Sequence, residues 1–98
     1  MYLPNTLDPL FAGYRAAVAF YGHNHTASDI QGRGHYVNPG SLGCYPEPLA
    51  RFVIINVRDS TYALTKHAVP YDDTDLLWAF AERHVPDHAF IRRAFFGR

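Results

Sequence analysis

The chain has 98 residues, the size of one small domain, and its nine basic and nine acidic residues leave a formal net charge of zero. That balance excludes the broad basic footprint of a nucleic-acid binder, and no apolar stretch approaches the ~20 residues that cross a bilayer. A hydrophobic content of 48% argues against disorder.

Asp8-Pro9 reads as a helix cap followed by proline at the first helical position. A short helix over 9–14 would turn Leu10, Phe11 and Tyr14 inward. Residues 16–21 (Ala-Ala-Val-Ala-Phe-Tyr) form a continuous apolar run, too short for a typical helix, and predict a buried strand that Gly22 ends. Composition over 23–33 is loop-like. Residues 35–37 predict a short strand that stops at Asn38-Pro39-Gly40, and 41–50 a second loop held by Gly43, Pro46 and Pro48. The clearest strand covers 51–58. Asp59-Ser60 is a turn, and 61–69 alternates Tyr62, Leu64 and Lys66 against Thr61, Ala63 and Thr65, which pairs the two strands as a hairpin. Asp72 or Asp73 caps a helix running to about His84, with Leu76, Leu77, Phe80 and Ala81 on one face. Pro86-Asp87 opens a last helix, apolar at Phe90, Ile91, Ala94 and Phe95, that ends at Gly97. No repeat, low-complexity segment or linker divides the chain, so 1–98 reads as one domain. The expected fold is mixed α/β (α+β), with four strands in a sheet and helices packed against it.

The chemistry concentrates in Gly22-His23-Asn24-His25, directly after the first apolar strand, and in the tight loop Asn38-Pro39-Gly40-Ser41 after the second. Side chains at i and i+2 of an extended backbone lean the same way, so His23 and His25 would present two neutral imidazoles together. That is half of a transition-metal site. A mononuclear site of the cupin kind needs a glutamate three or four residues later, and Ala27 to Asp29 supply none.

This succession of strand, Gly-His-x-His, short strand, Asn-Pro-Gly-Ser, hairpin and terminal helices resembles the C-terminal half of a calcineurin-like metallophosphoesterase. It is most similar to the small bacterial and archaeal phosphodiesterase branch, and the resemblance spans roughly 8–72. It implies the C-terminal portion of a four-layer α/β/β/α sandwich and hydrolysis of a phosphomonoester or phosphodiester. Two divalent ions, about 3.5–4 Å apart, would clamp the phosphate and activate the attacking water. Carried over by position, His25 would ligate the first metal and His23 the second, and manganese, iron or zinc would suit them. Gly22, Asn24, Asn38, Gly40 and Ser41 would shape the pocket.

The sequence departs from that family in one large respect. The Asp-x-His, Gly-Asp and Gly-Asn-His motifs that precede Gly-His-x-His are absent before His23. Two dications at ~3.5 Å repel by about 5 kcal/mol even in water, and carboxylates must neutralise them. The expectation is therefore that this chain contributes ligands to a complete enzyme but does not hold a dimetal centre alone. The competing expectation is a catalytically inactive half-domain that associates with itself or with a partner such as the missing N-terminal half.

The remaining candidates have plainer readings. His35, His67, His84 and His88 are expected to be surface or structural histidines. Cys44, the only cysteine, reads as an inert thiol and excludes an intrachain disulfide. The aromatic set Trp78, Phe80, Phe90 and Phe95 reads as core. Residues 1–5 lack the basic start and apolar centre of a signal peptide, so a soluble cytoplasmic protein is expected.

Overall fold

Strand β3 (His35–Asn38) is the centre of a three-stranded sheet in the computed structural model, which describes residues 3–98. On one side β1 (Val18–Phe20) runs parallel to it, with Val18 opposite His35 and Phe20 opposite Val37. On the other side β2 (Ser28–Gln31) runs antiparallel, with Ser28 opposite Asn38 and Gln31 opposite His35. Tyr36, Val37 and Asn38 are all buried, as expected of a strand covered on both faces. A second, two-stranded sheet is the hairpin of β4 (Leu49–Arg58) and β5 (Thr61–Pro70), in register from Leu49 opposite Pro70 to Arg58 opposite Thr61. Asp59 takes a left-handed conformation (φ 55°) in the two-residue turn, as such hairpins require.

Three helices complete the fold of the described residues: α1 (Pro4–Phe11), α2 (Thr74–Glu82) and α3 (His88–Phe96). Helix α1 starts five residues before the predicted one because Pro4 occupies its first turn, which leaves Pro9 inside the helix. It docks through Leu7, packed with Ile30 and Tyr36, and through Phe11, whose ring stacks on Tyr36 at 5.1 Å. Leu10 and Tyr14, expected inside, are exposed. Asp8 caps nothing. Its carboxylate accepts the Tyr36 hydroxyl and the Arg33 N–H (2.9 Å), tying α1 to the β2–β3 turn. Those two hydrogen bonds, Tyr36 first, hold the Asp8 carboxyl below the usual carboxylate range, and the same contact raises the Tyr36 hydroxyl.

The mixed α+β class holds, but the described residues form five strands in two sheets rather than four in one. The extra strand, β2, falls where a loop was expected, because Ile30 is its only large apolar residue. The terminal helices exist at their expected places, and Gly97 closes α3 in the left-handed conformation (φ 67°). Their apolar faces are mostly not core: Leu76, Trp78, Phe90 and Phe95 are exposed, while Leu77 and Phe96 are buried. Asp73, also buried, is held by the Arg98 guanidinium. No helix among the described residues is long and apolar enough to cross a membrane.

Candidate functional site

Parallel pairing brings the C-terminal ends of β1 and β3 to the same end of the sheet. The Tyr21 N–H donates to the Val37 carbonyl (3.1 Å), carrying the pairing one residue past β1. The loop holding Gly22, His23, Asn24 and His25 therefore leaves the sheet beside the turn Asn38-Pro39-Gly40-Ser41, 13 or more residues away in sequence. One buried side chain joins them. Asn38 Nδ2 donates to the Asn24 carbonyl (2.6 Å), while Asn38 Oδ1 accepts the Gly40 N–H (3.0 Å). Asn24 Oδ1 accepts the Thr26 N–H (3.1 Å), closing a local turn. Ser41 Oγ accepts the N–H groups of Cys44 (2.8 Å) and Gly43 (3.3 Å). Asn24, Asn38 and Ser41 thus spend their side chains on fixing backbone, as scaffold residues would.

Gly40 is required by its geometry. Its φ is +93°, and a Cβ there would meet Arg51 Cδ at 3.1 Å and Ala27 Cβ at 3.3 Å. Gly22, in contrast, has open space around it.

The two histidines are placed differently from the sequence expectation. His23 is exposed with a left-handed backbone (φ 77°), so the segment is not extended and the i, i+2 alternation does not apply. His25 is half-buried, its ring tilted against Phe95 of α3 with centroids 6.1 Å apart. No group of three or more His, Cys, Asp or Glu side chains poised to hold a metal ion occurs among the described residues. The donors present are two imidazoles without a carboxylate, a set that does not hold a dimetal centre by itself.

Asp29, the nearest carboxylate downstream of the loop, is engaged elsewhere. Its Oδ1 accepts His35 Nε2–H (2.5 Å), and its Oδ2 accepts Lys66 Nζ. On its other side, His35 Nδ1 lies 2.7 Å from the Tyr62 hydroxyl, and the two rings stack at 5.9 Å. This network clasps the three-stranded sheet to the hairpin. The Lys66 bond first, then the His35 bond, holds the Asp29 carboxyl below the usual carboxylate range. His35 is thus a structural member of an inter-sheet network rather than a surface histidine. Tyr62 and Lys66 are 33 or more residues from Asp29, so only the register of β5 could have pointed to them. Cys44 is half-buried beside the Ser41 turn.

Between the sheets lies a cavity of about 400 Å³ bounded by residues from both, Asn38, Pro39 and Arg51 among them. It abuts the inner side of the Asn38 turn.

No protein-family model matches this sequence, and no curated protein matches it. The juxtaposition of the two strand-end loops is what a functional reading of the chain has to rest on.

Proposed function

We propose that this chain supplies one half of a metal-dependent phosphoesterase centre of the calcineurin-like type, on the C-terminal portion of the four-layer α/β/β/α sandwich. The observation that carries the reading is the Asn38–Asn24 bond. It holds a Gly-His-x-His loop against an Asn-Pro-Gly-Ser turn at the C-terminal ends of two parallel strands. Loops at that end of parallel strands are where α/β folds place their ligands. His23 and His25 would each hold one of two divalent ions, manganese, iron or zinc, and the carboxylates that neutralise those ions would come from residues outside this chain. When bound, such ions clamp a phosphate and activate water. This chain's own part is to present the imidazoles and, through Asn38 and Gly40, to fix the wall behind them. The substrate class is a phosphomonoester or phosphodiester.

Calorimetric titration with zinc or manganese tests this. Two ligands predict micromolar or weaker affinity, reduced by His23→Ala and by His25→Ala. A nanomolar site, or one indifferent to both substitutions, overturns the assignment.

A second reading, a half-domain that self-associates, is favoured by the shape of the molecule. Its radius of gyration is 16.8 Å, where a compact chain of this length has about 13 Å. Val57, Trp78 and Phe90 are each more than half exposed, and β1 has one hydrogen-bonded neighbour. A two-fold dimer is the commonest closed solution. Light scattering over a dilution series should show a dimer or larger species. A well-folded monomer at high micromolar concentration rejects this reading.

A further inference from the structure

We infer that the chain pairs with a second copy of itself along the outer edge of β4, strand against antiparallel strand, about a two-fold axis at Ile55. The inference rests on the self-association reading and names its interface.

The continuous apolar run Val53-Ile54-Ile55 is the pattern of a strand covered on both faces. In this molecule it is left open. Every position from Ile54 to Arg58 is exposed, Ile54 at 47% and Val57 at 71%. Alternation puts Ile54 on one face of β4 and Ile55 with Val57 on the other, so both faces present large apolar side chains to solvent.

The backbone is open as well. Strand β5 lies along one edge of β4, and among the described residues no strand lies along the other. The Arg51 N–H donates to the Ser41 carbonyl (3.0 Å), so it points away from β5. N–H directions alternate along a strand, and those of Val53, Ile55 and Val57 therefore point to the same outer edge. Ser41 covers that edge at Arg51, but among the described residues no loop backbone bonds to the three positions beyond it. Edge strands are ordinarily guarded by lysine, charge or proline. Strand β5 carries Lys66 and ends at Pro70, whereas residues 53–57 of β4 contain neither a charge nor a proline. The edge of β1 offers only three residues.

The sequence at this edge fits its own copy. Val53, Ile55 and Val57 read alike in either direction. With Ile55 opposite the Ile55 of a second copy, Val53 falls opposite Val57, and each opposed pair exchanges two backbone hydrogen bonds. The side chains then meet as a stripe of β-branched cross-strand pairs. The area is sufficient. The chain exposes 7132 Å², where a compact monomer of its size exposes about 5,700 Å². The excess of about 1,400 Å² is larger than the ~800 Å² that each partner gives to a standard stable interface.

Light scattering and hydrogen exchange on the full chain test the inference. Wild type should be a dimer at micromolar concentration, and the amides of Ile55 and Val57 should lose protection on dilution. Val57→Pro removes an N–H that β5 does not use, so it blocks the pairing and leaves the hairpin ladder intact. Val57→Lys places a charge at the edge without altering the backbone. Each should weaken dimerisation by at least about a hundredfold, about tenfold for each symmetric copy. Circular dichroism reports whether each variant is folded, and Val57→Lys with the exchange data decides the matter where the proline variant is not. A wild-type dimer that folded variants form equally well overturns the β4 interface and leaves self-association standing. So does a dimer in which the Ile55 and Val57 amides exchange freely. A wild-type monomer at high micromolar concentration overturns both.

Discussion

Asp29→Asn should loosen the clasp between the two sheets. The substitution keeps the shape of the side chain and removes the charge that both Lys66 and His35 meet. The Lys66 side chain is 58% exposed, so its bond belongs with surface ion pairs, worth ~0.2–1 kcal/mol. His35 is only 16% exposed, and a charge-assisted bond to it is worth about 1 kcal/mol after allowing for the 34% exposure of Asp29. Together the loss is about 1–2 kcal/mol, or about 5–15 °C in melting temperature for a chain of this size. The acid limb of the same experiment checks the cause. Lys66 and His35 lower the folded-state pKa of Asp29 below its ordinary value of 3.8. The stabilisation is therefore complete above that value and is lost as pH falls through the lower, folded-state value. Thermal melts of wild type and variant should differ by a constant amount at mildly acidic and neutral pH and converge in strong acid. Equal melting temperatures at neutral pH, or a gap that persists unchanged in strong acid, would refute the reasoning.

Two of the crowded glycines, Gly32 and Gly40, give further predictions. In Gly32→Ala the new Cβ would lie 2.6 Å from Asp8 Oδ1, so Asp8 must abandon Tyr36 and Arg33; melting temperature should fall, and much less so in an Asp8→Ala background. Gly40→Ala combines a left-handed backbone with contacts to Arg51 and Ala27, and denaturant melts should show a loss of about 2–4 kcal/mol. Near-neutral behaviour at position 40 would mean that the Asn38 turn tolerates other backbone conformations.

Local signals in the sequence were followed wherever the deciding partners are themselves local. The hairpin came through because period-two alternation and a two-residue turn set its register without help from elsewhere. Asp73 stands at the start of α2 without a side-chain capping bond, its carboxylate held instead by Arg98, whereas Gly97 took its helix-end place for the same local reason as the hairpin. Asp8 did not, because Tyr36 and Arg33, more than twenty residues away, offer its carboxylate hydrogen bonds that outcompete the capping role. Strand β2 was missed because a strand with one large inward residue has almost no alternation, although Gly32-Arg33-Gly34 after Ile30 was a hairpin signal. The exposed faces of α2 and α3 carry a different lesson. Periodicity says which residues share a face, and it is silent on whether any surface exists to cover them. At the candidate site, the sequence located both loops, but not the left-handed twist at His23 or the pull of Phe95 on His25.

Being the only strand of its sheet with neighbours on both sides gives β3 a distinct place in the molecule's opening motions. Its amides, from His35 to Asn38, are expected to exchange with solvent more slowly than those of β1, whose three residues sit at an edge of the same sheet. The two sides of the candidate site are therefore expected to differ in stiffness: the Asn38 side is anchored to the central strand of the sheet, and the His23 side to an edge strand. A partner chain that hydrogen-bonds to the free edge of β1 would raise the protection of that strand, and with it hold the imidazoles still.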